Sequence, residues 1–133
     1  MKDLVLDHIL TLGVEEIDDD HRKLVNLFNV LNHSIMEGAA TDYVEAVLEE
    51  LINCTVWHFS HEDRLMLKYG YDGFEEHKTE HQDLINSARE IQQKFHQTGK
   101  LDEKEDLEFL EHWLTEHILV ADQRLGSYLN EVM

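Results

Sequence analysis

The sequence predicts an all-α protein: an antiparallel up-down-up-down four-helix bundle with an extended N-terminal arm. Three observations carry this expectation. Proline is absent and glycine numbers only 6 in 133 residues, which permits long uninterrupted helices. Turn-forming residues break the helical pattern at three short places, residues 38–42, 70–73 and 98–100. Each of the four segments so divided carries one apolar stripe with steps of three and four, as in a helix that buries a single face. One stripe per helix and short connections favour antiparallel neighbours around a shared core.

Residues 1–17 show no sustained helical period and read as an arm with a turn near Gly13. The first helix is expected over 18–37, with Asp18 as its cap and His21, Leu24, Phe28, Leu31 and Ile35 facing inward. The second is expected over 42–69. Asp42 and Glu45 form a carboxylate variant of the capping box at its start, and its stripe runs Val44, Val47, Leu51, Thr55, His58, Glu62, Leu65, Tyr69. The third spans 73–97 with the stripe Phe74, His77, His81, Leu84, Ala88, Ile91, Phe95. The fourth spans 102–131, with Asp102 and Glu105 as a second capping pair and Leu107, Leu110, Leu114, His117, Ala121, Leu125, Tyr128 and Val132 inward. Gly38 and Gly70 sit where a helix ends by turning left-handed. The whole chain, 1–133, reads as a single domain.

Composition excludes several function classes. Lys and Arg total 11 against 29 Asp and Glu, a formal charge of −18, which repels phosphate backbones and anionic lipid, so neither a nucleic acid nor a membrane is an expected partner. Apolar residues at 42% are enough for a core, unlike a disordered acidic chain. No stretch approaches the ~20 apolar residues that span a bilayer, the N-terminus carries acids where a signal peptide would be apolar, and one cysteine suits a reducing compartment. The expectation is a cytoplasmic protein. Charged faces opposite the stripes point to a monomer.

The stripes carry polar residues that a core does not tolerate alone: His21, His58, Glu62, His77, His81 and His117. A metal ion resolves this, because it takes neutral imidazole and carboxylate as direct ligands. His58 and Glu62 are one turn apart on one face, and His77 and His81 repeat that spacing. Asp122 follows His117 by five residues, about 140° away on a regular helix. Either it is no ligand, or the helix widens locally; a π-turn over 117–122 would swing it inward, and that is the expectation. Five histidines and two carboxylates are too many for one ion and suit two. Two bridging carboxylates and a bridging oxygen then leave the histidines to divide three and two, closing one metal and leaving one position open on the other. His8, His33, His96 and His112 fall off the stripes and read as solvated surface; His61 flanks His58 and reads as a non-ligand at the site edge. Cys54 reads as a small buried group, and Trp57 as facing a helix edge or a partner.

These residues resemble the hemerythrin family in its single-domain bacterial form. The resemblance rests on Gly13-Val14-Glu15-Glu16-Ile17-Asp18 with His21, on His58-Phe59-Ser60-His61-Glu62, on His77-Lys78-Thr79-Glu80-His81, and on Trp113-Leu114-Thr115-Glu116-His117-Ile118 with Asp122. It covers essentially the whole chain in order. It implies a non-haem, oxo- or hydroxo-bridged pair of Fe ions that binds O2 reversibly for carriage, storage or sensing. It implies that His77, His81 and His117 hold one iron, that His21 and His58 hold the other, where O2 binds, and that Glu62 and Asp122 bridge. The sequence departs from bacterial relatives at Leu6, where a tryptophan is usual. A leucine there would close the pocket less tightly and hasten autoxidation; a rate unchanged in Leu6→Trp would argue against this.

Phe59, Trp113, Leu114 and Ile118 adjoin the ligands in sequence and are expected to line the O2 pocket. An apolar lining supplies no general acid for O–O cleavage and keeps water out, so binding is expected rather than turnover. No histidine has a Glu three residues before it, which argues against the ferritin-like di-iron arrangement. The alternatives at the same residues are an enzyme acting on peroxide or nitric oxide, or an iron store. A zinc hydrolase ranks lower, because a site buried in mid-bundle gives a polar substrate poor access.

Overall fold

The computed structural model describes residues 14–133; the side chains of Glu103, Ile118 and Leu119 lie outside that description. The expectations for His8, Leu6 and the turn near Gly13 therefore fall on residues outside it, as does the side chain of Ile118.

Helix α1 runs Glu15–Met36, α2 Thr41–Tyr69 and α3 Phe74–Thr98. The fourth helix is continuous but changes its winding: a π-turn Glu103–Leu107, α4 Glu108–Glu116, a second π-turn His117–Asp122, and α5 Gln123–Val132. No strand occurs among the described residues. Tight connections join the helices, and α2 packs against both α1 and α3. This is the expected all-α four-helix bundle.

The helix starts depart from expectation in two places. α1 begins three residues before Asp18, so residues 15–17 belong to the helix rather than to the arm. Asp18 is buried inside the first turns instead of capping them, and Val14 holds the cap position without a side-chain bond. Similarly, α2 starts at Thr41 behind Ala40, which leaves Asp42 within the first turn, accepting from the Tyr43 amide at 2.9 Å. Asp102 does cap the fourth helix: its Oδ1 accepts from the amides of Lys104 and Glu105, each at 2.8 Å. The reciprocal carboxylate is Asp106 rather than Glu105, with Oδ2 accepting from the Asp102 amide at 2.8 Å. The wider π-turn moves the returning side chain one residue along. At the other ends, Gly38 and Gly70 take φ of 69° and 65°, the left-handed region that lets the helix stop without a Cβ clash.

Two apolar clusters form the core. One gathers Leu24, Phe28, Leu31, Leu48, Ile52, Phe95, Leu107 and Leu114 among others. The other gathers Val14, Ile17, Leu65, Met66, Tyr71, Leu125 and Leu129. Each fully buried Leu or Phe contributes about 2 kcal/mol by leaving water. Along every helix the polar stripe residues fall between the two clusters: His21 between Ile17 and Leu24, His58 and Glu62 between Ile52 and Leu65, His77 and His81 between Tyr71 and Ile91, His117 and Asp122 between Leu114 and Leu125. Apolar packing above and below thus sets all seven side chains at one level of the bundle.

The second π-turn also resets the fourth helix. A regular helix would turn Ala121, Tyr128 and Val132 inward. Instead the buried set after His117 is Asp122, Leu125, Gly126 and Leu129, whereas Val132 is 42% exposed. One extra residue in the turn shifts the inward face by one position. The π-turn expected over 117–122 is present at those residues, and the stripe beyond it is corrected accordingly.

Candidate metal centre

All seven residues lie at the centre of the bundle, and every one is buried; Glu62 and Asp122 are 0% exposed. α1 brings His21, α2 His58 and Glu62, α3 His77 and His81, and the fourth helix His117 and Asp122. Their ligand-capable atoms form two overlapping groups. Glu62, His77, His81, His117 and Asp122 make one; His21, His58, Glu62 and Asp122 make the other, with all such atoms of a group within 4.8 Å of one another. Both groups share the two carboxylates, and the histidines divide three and two.

The closest approaches are imidazole to carboxylate. His21 Nε2 donates to Asp122 Oδ2 at 2.7 Å, and His77 Nε2 donates to Glu62 Oε1 at 3.0 Å. His117 Nε2 stands 3.0 Å from Asp122 Oδ1, and His81 Nε2 stands 3.0 Å from Glu62 Oε1. His58 Nε2 and Glu62 Oε2 are 3.1 Å apart, yet neither atom has a hydrogen-bond partner, and Asp122 Oδ1 has none either. Buried polar atoms without partners are uncommon and costly. Here they converge on one another, and imidazole nitrogen with carboxylate oxygen is a donor set that suits iron. The residues present therefore fit a metal centre of the kind the composition of the stripes implies.

Electrostatics agree. Burial opposes charge on His58, His77 and His117, but Glu62 and Asp122 outweigh it. His58 is held well above the usual imidazole range, His77 is raised to about 9 and His117 to about 10. Burial likewise opposes charge on Glu62 and Asp122, and the facing imidazoles outweigh it, holding both carboxylates well below their usual range. His81 is the exception, lowered by burial and by the neighbouring His77 and His117 charges against the pull of Glu62. Protons thus occupy the positions where cations would bind, so a metal that enters must release them.

A set of outer carboxylates was not singled out in the sequence. Asp20 Oδ2 accepts from His58 Nδ1 at 2.9 Å, and Glu80 Oε1 accepts from His117 Nδ1 at 3.0 Å. Asp63 Oδ1 lies 3.4 Å from His81 Nδ1. Such partners fix ring orientation and leave Nε2 pointing at the metal position. Each sits next to a different inner residue in the chain: Asp20 before His21, Asp63 after Glu62, Glu80 before His81. A step of one residue turns about 100° around the helix, which aims each of these carboxylates at a ligand on a neighbouring helix. An acid beside each of His21, Glu62 and His81 was the signal available in the sequence.

His61 belongs to neither group. Its Nδ1 donates to the same Asp20 oxygen at 2.8 Å, and its Nε2 faces Glu16 Oε2 at 3.1 Å, an edge position as expected. His33, His96 and His112 are exposed. Cys54 is half-buried, and Trp57 is exposed, with Lys23 Nζ 6.0 Å from its ring centre.

Of the expected pocket residues, Phe59 stacks on His81 at 3.7 Å and lies 5.8 Å from His58. It therefore borders both halves of the centre. Trp113 stacks on His117 at 5.3 Å and meets Phe59 edge-on at 5.6 Å, which places it beside the three-histidine half. Leu114 is buried and packs in the adjoining apolar cluster.

Comparison with known proteins agrees with this arrangement. The profile of the hemerythrin HHE cation binding domain matches residues 12–129. The chain is 34% identical to the bacteriohemerythrin of Pseudomonas paraeruginosa, over 100% of this chain and 97% of that one. It is 32% identical to the bacteriohemerythrin of Methylococcus capsulatus, over 85% and 86% of the two chains. A crystal structure of wild-type hemerythrin superposes with a TM-score of 0.84 at 28% identity, covering 97% of this chain and 98% of that one.

Proposed function

Because this chain belongs to the hemerythrin family, we propose that it binds dioxygen reversibly at a non-haem di-iron centre, without turnover of a substrate. The observation that carries this reading is the pair of ligand groups that share Glu62 and Asp122. In this reading His77, His81 and His117 would hold one iron, His21 and His58 would hold the other, and Glu62 and Asp122 would serve both. The chemistry that a bound pair of ferrous ions would supply is reversible electron transfer to dioxygen.

The chain's own residues do the rest. Outer carboxylates Asp20 and Glu80 hold the His58 and His117 rings by their Nδ1 protons, so that Nε2 stays aimed inward. Two histidines rather than three on one side would leave that side able to take a small ligand. Phe59, which borders both halves, excludes water from it. The rings packed against the ligand imidazoles, Phe59 and Trp113, carry no carboxyl or hydroxyl group that could act as a general acid toward a bound oxygen molecule. The same reading makes the protein a cytoplasmic monomer of one domain, and no described helix is long and apolar enough to cross a membrane.

Anaerobic reduction of the iron-loaded chain followed by admission of air tests this. The expected result is a colourless form that gains a visible charge-transfer band and loses it again when dioxygen is removed. Steady consumption of peroxide or nitric oxide beyond one equivalent per site would favour the enzyme instead, and no spectral response would leave iron storage.

A further inference from the structure

Four polar side chains cross the seam between α1 and α2 beside the two-histidine half of the centre. Glu16 and Asp20 stand one turn apart on α1, and His58 and His61 stand three residues apart on α2, so each pair shares a face of its helix. The two faces interdigitate. Asp20 Oδ2 accepts from His58 Nδ1 at 2.9 Å and from His61 Nδ1 at 2.8 Å, and His61 Nε2 stands 3.1 Å from Glu16 Oε2. The His61 residue is only 9% exposed, and Trp57 packs on its ring with centroids 5.7 Å apart. An imidazole so placed needs partners for its nitrogens, and the two acids of α1 supply them.

This arrangement fixes Asp20 where a single hydrogen bond would not. A carboxylate oxygen has two lone pairs, and the His58 and His61 donors engage both on the same oxygen. Asp20 also lines an open groove of about 550 Å3 between α1 and α2, with Lys23 among the other walls. Without His61 the carboxylate can turn into that groove, toward water and the Lys23 ammonium, and His58 Nδ1 then loses its acceptor. The three-histidine half is held differently. There Glu80 takes the His117 Nδ1 proton from a half-exposed position, and among the described residues no second imidazole donates to it. The half with fewer imidazoles has the more closely built support.

We infer that His61 is a positioning residue for the two-histidine half: it pins Asp20, and through Asp20 it keeps the His58 ring turned with Nε2 directed inward. The consequence for iron rests on the function proposed above; the hold on Asp20 and His58 rests on the hydrogen bonds alone. Two substitutions separate the two nitrogens of His61. The amide nitrogen of asparagine stands near the place of Nδ1, and that of glutamine near the place of Nε2. His61→Asn therefore keeps the donor to Asp20 and loses the tie to Glu16, and His61→Gln does the reverse.

Two measurements test this on the full chain. In metal-free protein, proton–nitrogen NMR should show a hydrogen-bonded His58 Nδ1 proton in wild type and in His61→Asn, and that signal should be lost to exchange in His61→Gln and His61→Leu. In an anaerobic titration with ferrous ion, wild type and His61→Asn should bind both equivalents alike. His61→Gln and His61→Leu should bind one equivalent unchanged and the other about 10–100-fold more weakly. His61→Gln keeps a polar group at the position, so the test stays open if His61→Leu folds poorly. Equal weakening of both equivalents, or failure of His61→Asn to keep the weaker one, would make His61 a packing residue and overturn the proposal. A His58 Nδ1 proton that persists in His61→Gln would overturn it as well. A wild-type chain that takes up a single iron would bring down the di-iron reading instead, and the NMR comparison would still decide whether His61 holds Asp20 and His58.

Discussion

Raising the pH should destabilise the metal-free protein, and His77 gives the size of the effect. Its pKa moves from 6.5 to about 9 in the folded chain because Glu62 and Asp122 outweigh the cost of burying its charge. A group whose folded pKa is raised contributes stability that is fully present below its unfolded value and disappears as pH climbs through the folded one. For His77 the window is 6.5 to about 9, and the contribution lost across it is about 3 kcal/mol. His117 acts in the same direction up to about 10, whereas the lowered His81 has its effect only below 6.5. The assay is urea denaturation of chelator-treated protein from pH 6 to pH 10, beside the variant His77→Gln. Wild type should lose stability steadily over that range, and the variant should lose about 3 kcal/mol less. A flat profile, or equal slopes in the two proteins, would refute the idea that the empty centre is held together by imidazolium–carboxylate pairs. Metal should reverse the dependence: its affinity should rise with pH as the protons on His77 and His117 become easier to displace.

Four further outcomes follow from the geometry. Asp20→Ala removes the acceptor shared by His58 and His61, and should weaken binding of one of the two metals by about 10–100-fold, with the other unchanged in a metal titration. Inserting an alanine after Val120 turns Asp122, Leu125 and Leu129 by about 100°, so metal uptake should fall and thermal unfolding come earlier. Deleting Val120 instead should keep the register, because five residues across the π-turn reach the same face as four across an α-turn; retained metal content checks this. Leu125→Ala empties a fully buried position beside the centre and should cost about 3 kcal/mol in denaturant unfolding.

Much of this was legible in the sequence because helical periodicity and the intolerance of a core for lone polar groups act locally. His58 with Glu62, and His77 with His81, declare a shared face at a spacing of four, whatever surrounds them. Even the irregular step to Asp122 carried its own signal: a carboxylate five residues from a buried histidine has an inward position only if the turn widens. What the spacing of single residues did not convey was register across helices. The carboxylates Asp20, Asp63 and Glu80 lie off their own stripes, and their use appears only when the neighbouring helix supplies His58, His81 or His117. Cap assignment failed at Asp18 and Asp42 for a related reason. An acid near a helix start serves as a first-turn residue as readily as a cap, and α1 starts early because Val14 and Ile17 are drawn into the cluster with Leu125 and Leu129. The stripe beyond His117 was misread by the one residue that the π-turn absorbs, which is why Val132 faces outward.

The central claim is that imidazoles from four helices converge on a shared pair of ions, and an iron anomalous map from crystals of the iron-loaded chain tests it most directly. The account predicts two peaks flanking Glu62 and Asp122, one contacted by His77, His81 and His117 and the other by His21 and His58. A single peak, or two peaks with Asp122 turned away from both, would contradict it.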